Sequence, residues 1–215
     1  MATKVLIVDD HPVAREGLIM RIGIEDGLVA CGEASDLEEA LECAKQTQPE
    51  VAVIDIALKT SSGIELIKRL KEQNPRTKML AWSMYEESLY AKRALRAGAM
   101  GYINKENVTD KIIEAIRCVL KGEVYLSPEM SKKMLIRVVR GGDAIGRSAT
   151  DTLSDRELET FTLIGHGMTT AAIATAMKLS PKTIETYRAR IKDKLEVEDI
   201  AALTREAAQW VLENG

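Results

Sequence analysis

Three carboxylates, a hydroxyl and an ammonium stand at the ends of short apolar runs in this 215-residue chain. Asp9 and Asp10 follow Val5–Val8, Asp55 follows Val51–Ile54, Ser83 follows Met79–Trp82, and Lys105 follows Gly101–Asn104. Short apolar runs with polar bounds are the pattern of buried parallel strands. In open α/β sheets, sites form at the carboxyl ends of strands, so these five groups are expected to meet at one edge. Clustered carboxylates repel and raise one another's pKa, which a hard cation relieves. Mg2+ takes oxygen ligands, commonly one or two carboxylates with water and phosphate oxygens. Asp55 is then placed to attack phosphorus and form an aspartyl-phosphate. Lys105 and the Ser83 hydroxyl can donate to phosphoryl oxygens, and phosphoryl transfer needs positioning and charge neutralisation more than covalent help. Each residue alone has a plainer use. Asp10, two residues before Pro12, can cap a helix; Lys105 can be a solvated loop lysine and Ser83 a turn residue.

The elements that must position them alternate along residues 1–122. Strands are expected at about 4–8, 28–33, 51–55, 78–83 and 101–104, with amphipathic helices at 12–22, 37–47, 64–73, 87–97 and 109–121. Leu37, Ala40, Leu41 and Ala44 recur at helical spacing, as do Ile64, Ile67 and Leu70. Five βα units imply an α/β fold with a doubly wound, five-stranded parallel sheet. Asn74-Pro75 and the Gly98–Gly101 stretch are turn signals. Ser127-Pro128 starts a further helix to about residue 140. The glycine-containing stretch 141–150 then looks like a linker.

After it the strand pattern is gone. Ser154 and Glu157 have capping-box spacing before a helix at 155–165. A short helix follows from about 170 to 178. Leu179-Ser180-Pro181 makes a tight turn into a longer basic helix, which is helix-turn-helix organisation. Asp199 caps a last helix to about Leu212. Residues 152–215 carry ten acidic and eight basic side chains, yet 178–194 holds Lys178, Lys182, Arg188, Arg190, Lys192 and Lys194 against only Glu185 and Asp193. A basic stripe on an otherwise neutral-to-acidic module is the footprint of a groove-binding element, although charged helix faces also occur without one.

Residues 3–121 resemble a two-component receiver domain, which has a flavodoxin-like fold. The run from Val8 to Leu18 (VDDHPVAREGL) is similar to its first strand and helix. The resemblance implies that Asp55 is the phosphoacceptor, Lys105 the phosphoryl-binding lysine, Ser83 the switch hydroxyl and Tyr102 the switch aromatic. It also implies Mg2+ on Asp10 and Asp55, on Asp9 directly or through water, and on the backbone carbonyl of Ala57. On phosphorylation Ser83 would move inward and Tyr102 turn into the vacated room; an aromatic simply packed at a sheet edge is the plainer use of Tyr102. Where many receivers have Met-Pro after the acceptor, this chain has Leu58-Lys59, which leaves the loop less restrained. Ala57 and Tyr85 stand where the family sets how long the phosphoryl group lasts.

Leu153 to about Leu212 resembles the LuxR-type helix-turn-helix of NarL/FixJ-type regulators. The matching residues include Leu153–Glu157, Ile164–Thr169, Ile173-Ala174, Leu179–Arg188 and Ile191–Leu195. That resemblance implies base reading by Glu185, Thr186 and Ala189. Glu accepts from cytosine N4, while the Thr methyl and Ala touch a thymine methyl. Lys182, Thr183, Arg190, Lys192 and Lys194 are placed for phosphates, which position without specifying. Thr170-Ala171-Ala172 replaces a more polar stretch of many relatives, which removes one phosphate contact. Ile184, Ile191 and Leu195 are expected to face the core. Ile200, Leu203, Ala207, Trp210 and Val211 of the last helix either pack on the module or also form a homodimer contact. The expected domains are thus a receiver at 3–121, a linker at 122–151 with a helix at about 128–140, and a DNA-binding domain at 152–215.

The implied function is a phosphorylation-controlled DNA-binding transcription regulator. Its partners would be a histidine kinase or phosphotransfer protein, double-stranded DNA and a second copy of itself. A regulator that binds DNA constitutively, with an unused receiver, is the alternative. A dinucleotide enzyme is excluded, because Asp9-Asp10-His11-Pro12 stands where a glycine-rich turn would be required; substrate turnover beyond the receiver's own phosphorylation and dephosphorylation is not expected. No apolar stretch approaches membrane-span length, and the N-terminus has no signal-peptide organisation. Cys31, Cys43 and Cys118 have no paired or metal-ligand spacing and read as buried free thiols of a cytoplasmic protein.

Overall fold

The computed structural model describes residues 2–58, 62–106, 109–139, 149–177 and 179–214. Lys59, most of the glycine-containing linker and Lys178 lie outside them. The described residues form two compact units, one before and one after residues 140–148.

The first unit alternates β1 (Thr3–Val8), α1 (Pro12–Gly23), β2 (Leu28–Ala34), α2 (Leu37–Thr47), β3 (Val51–Ile54), α3 (Gly63–Gln73), β4 (Lys78–Ser83), α4 (Glu87–Ala97), β5 (Gly101–Asn104) and α5 (Thr109–Leu120). All strand pairs are parallel, in the order β2-β1-β3-β4-β5. Val5–Val8 and Val51–Ile54 are wholly buried, as a sheet covered on both faces requires. Val5, Ile7, Val51, Val53, Leu80 and Ile103 share one core with Leu18 and Ile22 of α1 and Ile112, Ile113 and Ile116 of α5. α2, α3 and α4 pack in succession.

The helices start where side chains satisfy free N–H groups. Asp36 accepts from the Glu39 N–H, and Ser62 from those of Ile64 and Glu65. The plainer use of Asp10 as a cap is not found: the N-cap of α1 is His11, with Pro12 at the first position and no side-chain cap bond. Asp10 therefore does not cap it, because proline holds the residue before it in extended geometry and moves the helix boundary to His11.

Residues 122–127 are not free linker. The Tyr125 N–H donates to the Met100 carbonyl and the Tyr102 N–H to the Tyr125 carbonyl, so this segment pairs with the open edge of β5. The next helix, α6 (Pro128–Val139), begins with the Ser127 hydroxyl accepting from the Met130 N–H. Ser127 itself donates its N–H to Glu87 of α4 at 2.8 Å.

The second unit contains a 3-10 turn (Ala149–Thr152), α7 (Asp155–Gly165), α8 (Thr170–Ala176), α9 (Pro181–Leu195) and α10 (Ile200–Asn214). Ser154 and Glu157 form the capping box, Ser180 caps α9, and Asp199 accepts from the Ala202 N–H. Leu203 and Ala207 of α10 are buried, Phe161 packs against Trp210 with centroids 5.7 Å apart, and Ile200 is exposed. Gly165 allows α7 to meet α10: a Cβ there would lie 2.5 Å from the Ala207 carbonyl oxygen and 2.6 Å from Val211 Cγ2. Gly165→Ala is therefore expected to destabilise this unit by about 1–3 kcal/mol, although alanine is the better helix former. A thermal melt of the far-UV helical signal checks the sign; stabilisation would mean that the crossing can open without cost.

Among the described residues no helix is long and apolar enough to cross a membrane. The cysteines are free and half-buried rather than buried. Burial still pushes the Cys43 thiol up, against a hydrogen bond from Thr47 that lowers it.

Candidate functional site: an acidic sheet edge and a basic helix

The carboxyl edge of the sheet brings together all five groups picked out at strand ends. The strand hydrogen bonding runs one residue past the strands themselves. The Asp55 N–H donates to the Val8 carbonyl at 2.8 Å, the Asp9 N–H to Ala34 at 3.1 Å, and the Lys105 N–H to Ser83 at 2.9 Å. Each functional side chain thus leaves a fixed backbone. Asp9, Asp10, Asp55 and Ser83 are all buried. Lys105 reaches between two of them, its Nζ lying 2.5 Å from Asp9 Oδ2 and 2.6 Å from Asp55 Oδ2. It also sits over the Trp82 ring, 5.1 Å from the centroid. The other Asp55 oxygen accepts the Ala57 N–H at 3.0 Å.

The electrostatics of this edge are strained. Burial pushes the Asp55 carboxyl above the usual carboxylate range; Lys105 opposes this, and Asp9 adds to it. Carboxylate oxygens of Asp9, Asp10 and Asp55 and a ring nitrogen of His11 all lie within 4.8 Å of one another. A set of buried oxygens under mutual repulsion suits a hard dication.

Ser83 and Tyr102 lie beside the acidic edge. The Ser83 hydroxyl oxygen accepts from the Tyr85 N–H at 3.4 Å. Tyr102 is buried already, its hydroxyl donating to the Tyr85 carbonyl at 2.8 Å; Asn104 donates to the same oxygen. Burial drives the Tyr102 hydroxyl far above its ordinary pKa, so it stays a donor.

Three residues with a part in this edge had no assigned role in the sequence. His11 folds back over Asp9 and Asp10. Arg15 donates to the Asp9 carbonyl at 2.6 Å and to Glu33 at 3.1 Å, tying α1 to the edge. Gly63 lets the start of α3 lie against the acceptor strand, since a Cβ there would come 2.0 Å from the Asp55 carbonyl oxygen. The adjacency of His11 to two aspartates was the one available signal. The partners of Arg15 and Gly63 come from other elements.

On α9, Lys182, Glu185, Thr186, Ala189, Arg190 and Lys194 are exposed, while Ile184 and Ile191 are buried. Leu195 is half-buried, as are Thr183 and Lys192. The Thr186 hydroxyl donates back to the Lys182 carbonyl at 3.0 Å, which spends its donor. The Thr183 hydroxyl is paired with Ser180 at 2.8 Å. Lys194 departs from its neighbours: its Nζ lies 2.6 Å from the buried carboxylate of Glu157, which also accepts the Ser154 N–H at 2.7 Å. Burial pushes the Glu157 carboxyl up, but Lys194 and Ser154 outweigh it and hold the pKa below the ordinary value.

Residues 5–117 match the response regulator receiver domain family, and residues 151–207 match the LuxR family of bacterial regulatory proteins. The chain belongs to the LuxR-type response regulators. This regulator is 33% identical to the response regulator GacA of Pseudomonas syringae pv. syringae over 90% of each chain. It is also 33% identical to the oxygen regulatory protein NreC of Staphylococcus carnosus, over 90% of this chain and 91% of that one. Among solved structures, a LuxR-family two-component response regulator from Aurantimonas sp. SI85-9A1 shares 29% identity and a TM-score of 0.60, covering 65% of this chain and 99% of that one. RcsB of Salmonella enterica serovar Typhimurium, bound to promoter rprA with the phosphomimetic BeF3-, shares the fold at 23% identity, with a TM-score of 0.59 over 97% of this regulator and 99% of that chain. The regulator is thus a two-component transcription regulator with a receiver and a DNA-binding module.

The Lys194–Glu157 pair has a consequence that does not depend on DNA. A carboxyl whose folded pKa is lowered stabilises the fold above its unfolded pKa and loses that contribution as pH falls through the folded value. Lys194→Ala is expected to lower the thermal midpoint of the second unit at neutral pH and to flatten its loss below about pH 4.5. Melts of wild type and variant across that range decide it. Coincident curves would mean that Lys194 contributes nothing to the fold.

Proposed function

We propose that a histidine kinase or phosphotransfer protein phosphorylates Asp55, and that this controls dimerisation and DNA binding by the second unit. The observation that carries the reading is Lys105 held between two buried carboxylates, one of them Asp55. One Asp55 oxygen attacks the donor's phosphorus, and the bond from phosphorus to the donor's leaving atom breaks as the new P–O bond forms. Lys105 then moves from carboxylate to phosphoryl oxygen, and the Ser83 hydroxyl donates to another. Asp10, Asp55 and the Ala57 carbonyl are the proposed Mg2+ ligands, with Asp9 binding directly or through water. The buried, mutually repelling carboxylates fit that ion. Mg2+ would neutralise charge on the phosphoryl oxygens.

Tyr102 already lies inside, bonded to Tyr85. Phosphorylation in this reading stabilises an arrangement the chain can adopt, rather than creating it. The signal has a short path outward, because the Tyr102 backbone is bonded to the segment that leads into α6.

On α9 the proposed base readers are Glu185, Thr186 and Ala189, with Lys182, Arg190 and Lys192 on phosphates and Thr183 mainly in the cap. Lys194 is assigned to the fold, because its charge is already neutralised by Glu157. The test is intact mass after incubation with acetyl phosphate and Mg2+. A gain of one phosphoryl group, removable by hydroxylamine as an acyl phosphate is, supports the assignment. No gain by a folded, metal-loaded protein moves the weight to constitutive DNA binding.

A further inference from the structure

We propose that His11 is a metal ligand and that, with Asp9 and Asp10, it lets the acidic edge take borderline first-row dications, Co2+ and Zn2+ among them, in preference to Mg2+. This rests on the reading of that edge as a metal site and adds a nitrogen donor to it.

The first argument is spacing. His11 Nδ1 lies 2.8 Å from Asp10 Oδ1 and 3.2 Å from Asp9 Oδ1. Neighbouring ligands around an octahedral ion with bonds of about 2.1 Å are about 3.0 Å apart. His11 Nδ1 therefore has the separation of an adjacent ligand from each of the two carboxylate oxygens, and the ligand atoms of all four side chains lie within 4.8 Å of one another.

The second argument is how Asp9 divides its oxygens. Oδ2 faces the Lys105 ammonium, while Oδ1 faces His11. A cation on the Oδ1 side avoids the lysine, and that side is the one the imidazole covers.

The third is that the backbone aims the ring. Pro12 restricts His11 to extended geometry, and it has φ −94° and ψ 108°. The His11 N–H is bonded to Asp9 Oδ1 at 2.8 Å, which closes a turn and folds the residue over the two aspartates. The imidazole makes no cap bond to α1. Its side chain is 57% exposed, so an ion arriving from solvent meets it without rearranging the core.

The fourth is donor chemistry. Mg2+ takes oxygen almost exclusively. Imidazole suits zinc, cobalt, nickel and copper, whose affinities exceed those of lighter dications in mixed nitrogen–oxygen sites. A nitrogen donor of this kind favours those ions and leaves Mg2+ nearly unaffected.

The competing account is that the ring is only a hydrogen-bond partner of the carboxylates. Titration of the full chain with CoCl2 and, separately, MgCl2 separates the two. Co2+ visible absorption and the fluorescence of Trp82, which lies against Lys105, report binding. His11→Ala and His11→Asn are compared with wild type; Asn keeps a hydrogen-bonding group but is a poor ligand. Wild type is expected to bind Co2+ at least about tenfold more tightly than Mg2+, and both variants to lose about tenfold in Co2+ affinity with less than about a threefold change for Mg2+. Unchanged Co2+ affinity in both variants, or equal losses for the two ions, overturns the proposal. Co2+ binding retained in His11→Asn but lost in His11→Ala also overturns it, in favour of the hydrogen bond. If wild type binds neither ion, the metal reading of the edge itself fails and takes this inference with it.

Discussion

Asp55→Asn is expected to leave the regulator folded and metal-competent but unable to gain a phosphoryl group, and its DNA affinity should ignore phosphodonors. The amide keeps the shape of the side chain and an oxygen for the Ala57 N–H. It removes the nucleophile, since an amide does not attack phosphorus as a carboxylate does. Wild type treated with acetyl phosphate and Mg2+ should bind a selected duplex at least about tenfold more tightly than untreated protein, a coupling of about 1.4 kcal/mol. The variant should show no change. Fluorescence anisotropy at one fixed salt concentration is the measurement, because phosphate contacts make affinity depend steeply on salt. Equal stimulation of wild type and variant would remove Asp55 from the switch. Equal, unstimulated affinity in both would show DNA binding that the receiver does not control.

Much of this architecture was legible because its signals are local. Val5–Val8 and Val51–Ile54 read as parallel strands since both faces of the sheet are covered, which demands unbroken apolar runs. Polar residues directly after those runs had to lie at the sheet edge. Ser154, Glu157, Ser180 and Pro181 announced the helices of the second unit through capping chemistry that spans four residues.

What escaped depends on partners distant in the chain. Residues 122–127 have no strand periodicity, yet they pair with β5 through two backbone hydrogen bonds. Such bonds are blind to side chains. Lys194 looks like its neighbours in a basic run, and its ion pair with Glu157, 37 positions earlier, cannot be read from that run. Tyr102 lies inside, and the acceptor that holds it there is a backbone carbonyl at Tyr85, which no side-chain pattern announces. Asp10, two residues before Pro12, looks able to cap α1. The cap falls to His11 by backbone geometry, and the carboxylate remains with the acidic group.

Lys105→Met is expected to produce the largest loss of stability among single substitutions at the acidic edge, and a divalent cation should restore much of it. Lys105 Nζ contacts two carboxylates that are 0% and 2% exposed. Removing one partner of a buried charged pair costs about 3–5 kcal/mol, because the remaining charge stays uncompensated. Here two like charges remain, facing each other. The pH dependence follows from the sign of the shift. Asp55 already has a raised carboxyl pKa in the folded state, from burial first and then from Asp9, with Lys105 opposing both. Loss of Lys105 raises it further. A raised folded pKa means the neutral form fits better, so the penalty is absent below the unfolded pKa, grows as pH rises towards the folded value and is full above it. Melts of the variant in a chelator should therefore fall short of wild type by more at pH 7.5 than at pH 4.5, by roughly 2–4 °C per kcal/mol for a chain of this size. Added Mg2+ should raise the variant's midpoint more than that of wild type, since the ion then supplies the positive charge the lysine no longer does. A variant that melts with wild type in chelator at pH 7.5 would show that the aspartates tolerate one another unaided. In that case the edge would need neither lysine nor ion for stability, and phosphorylation chemistry alone would have to account for both.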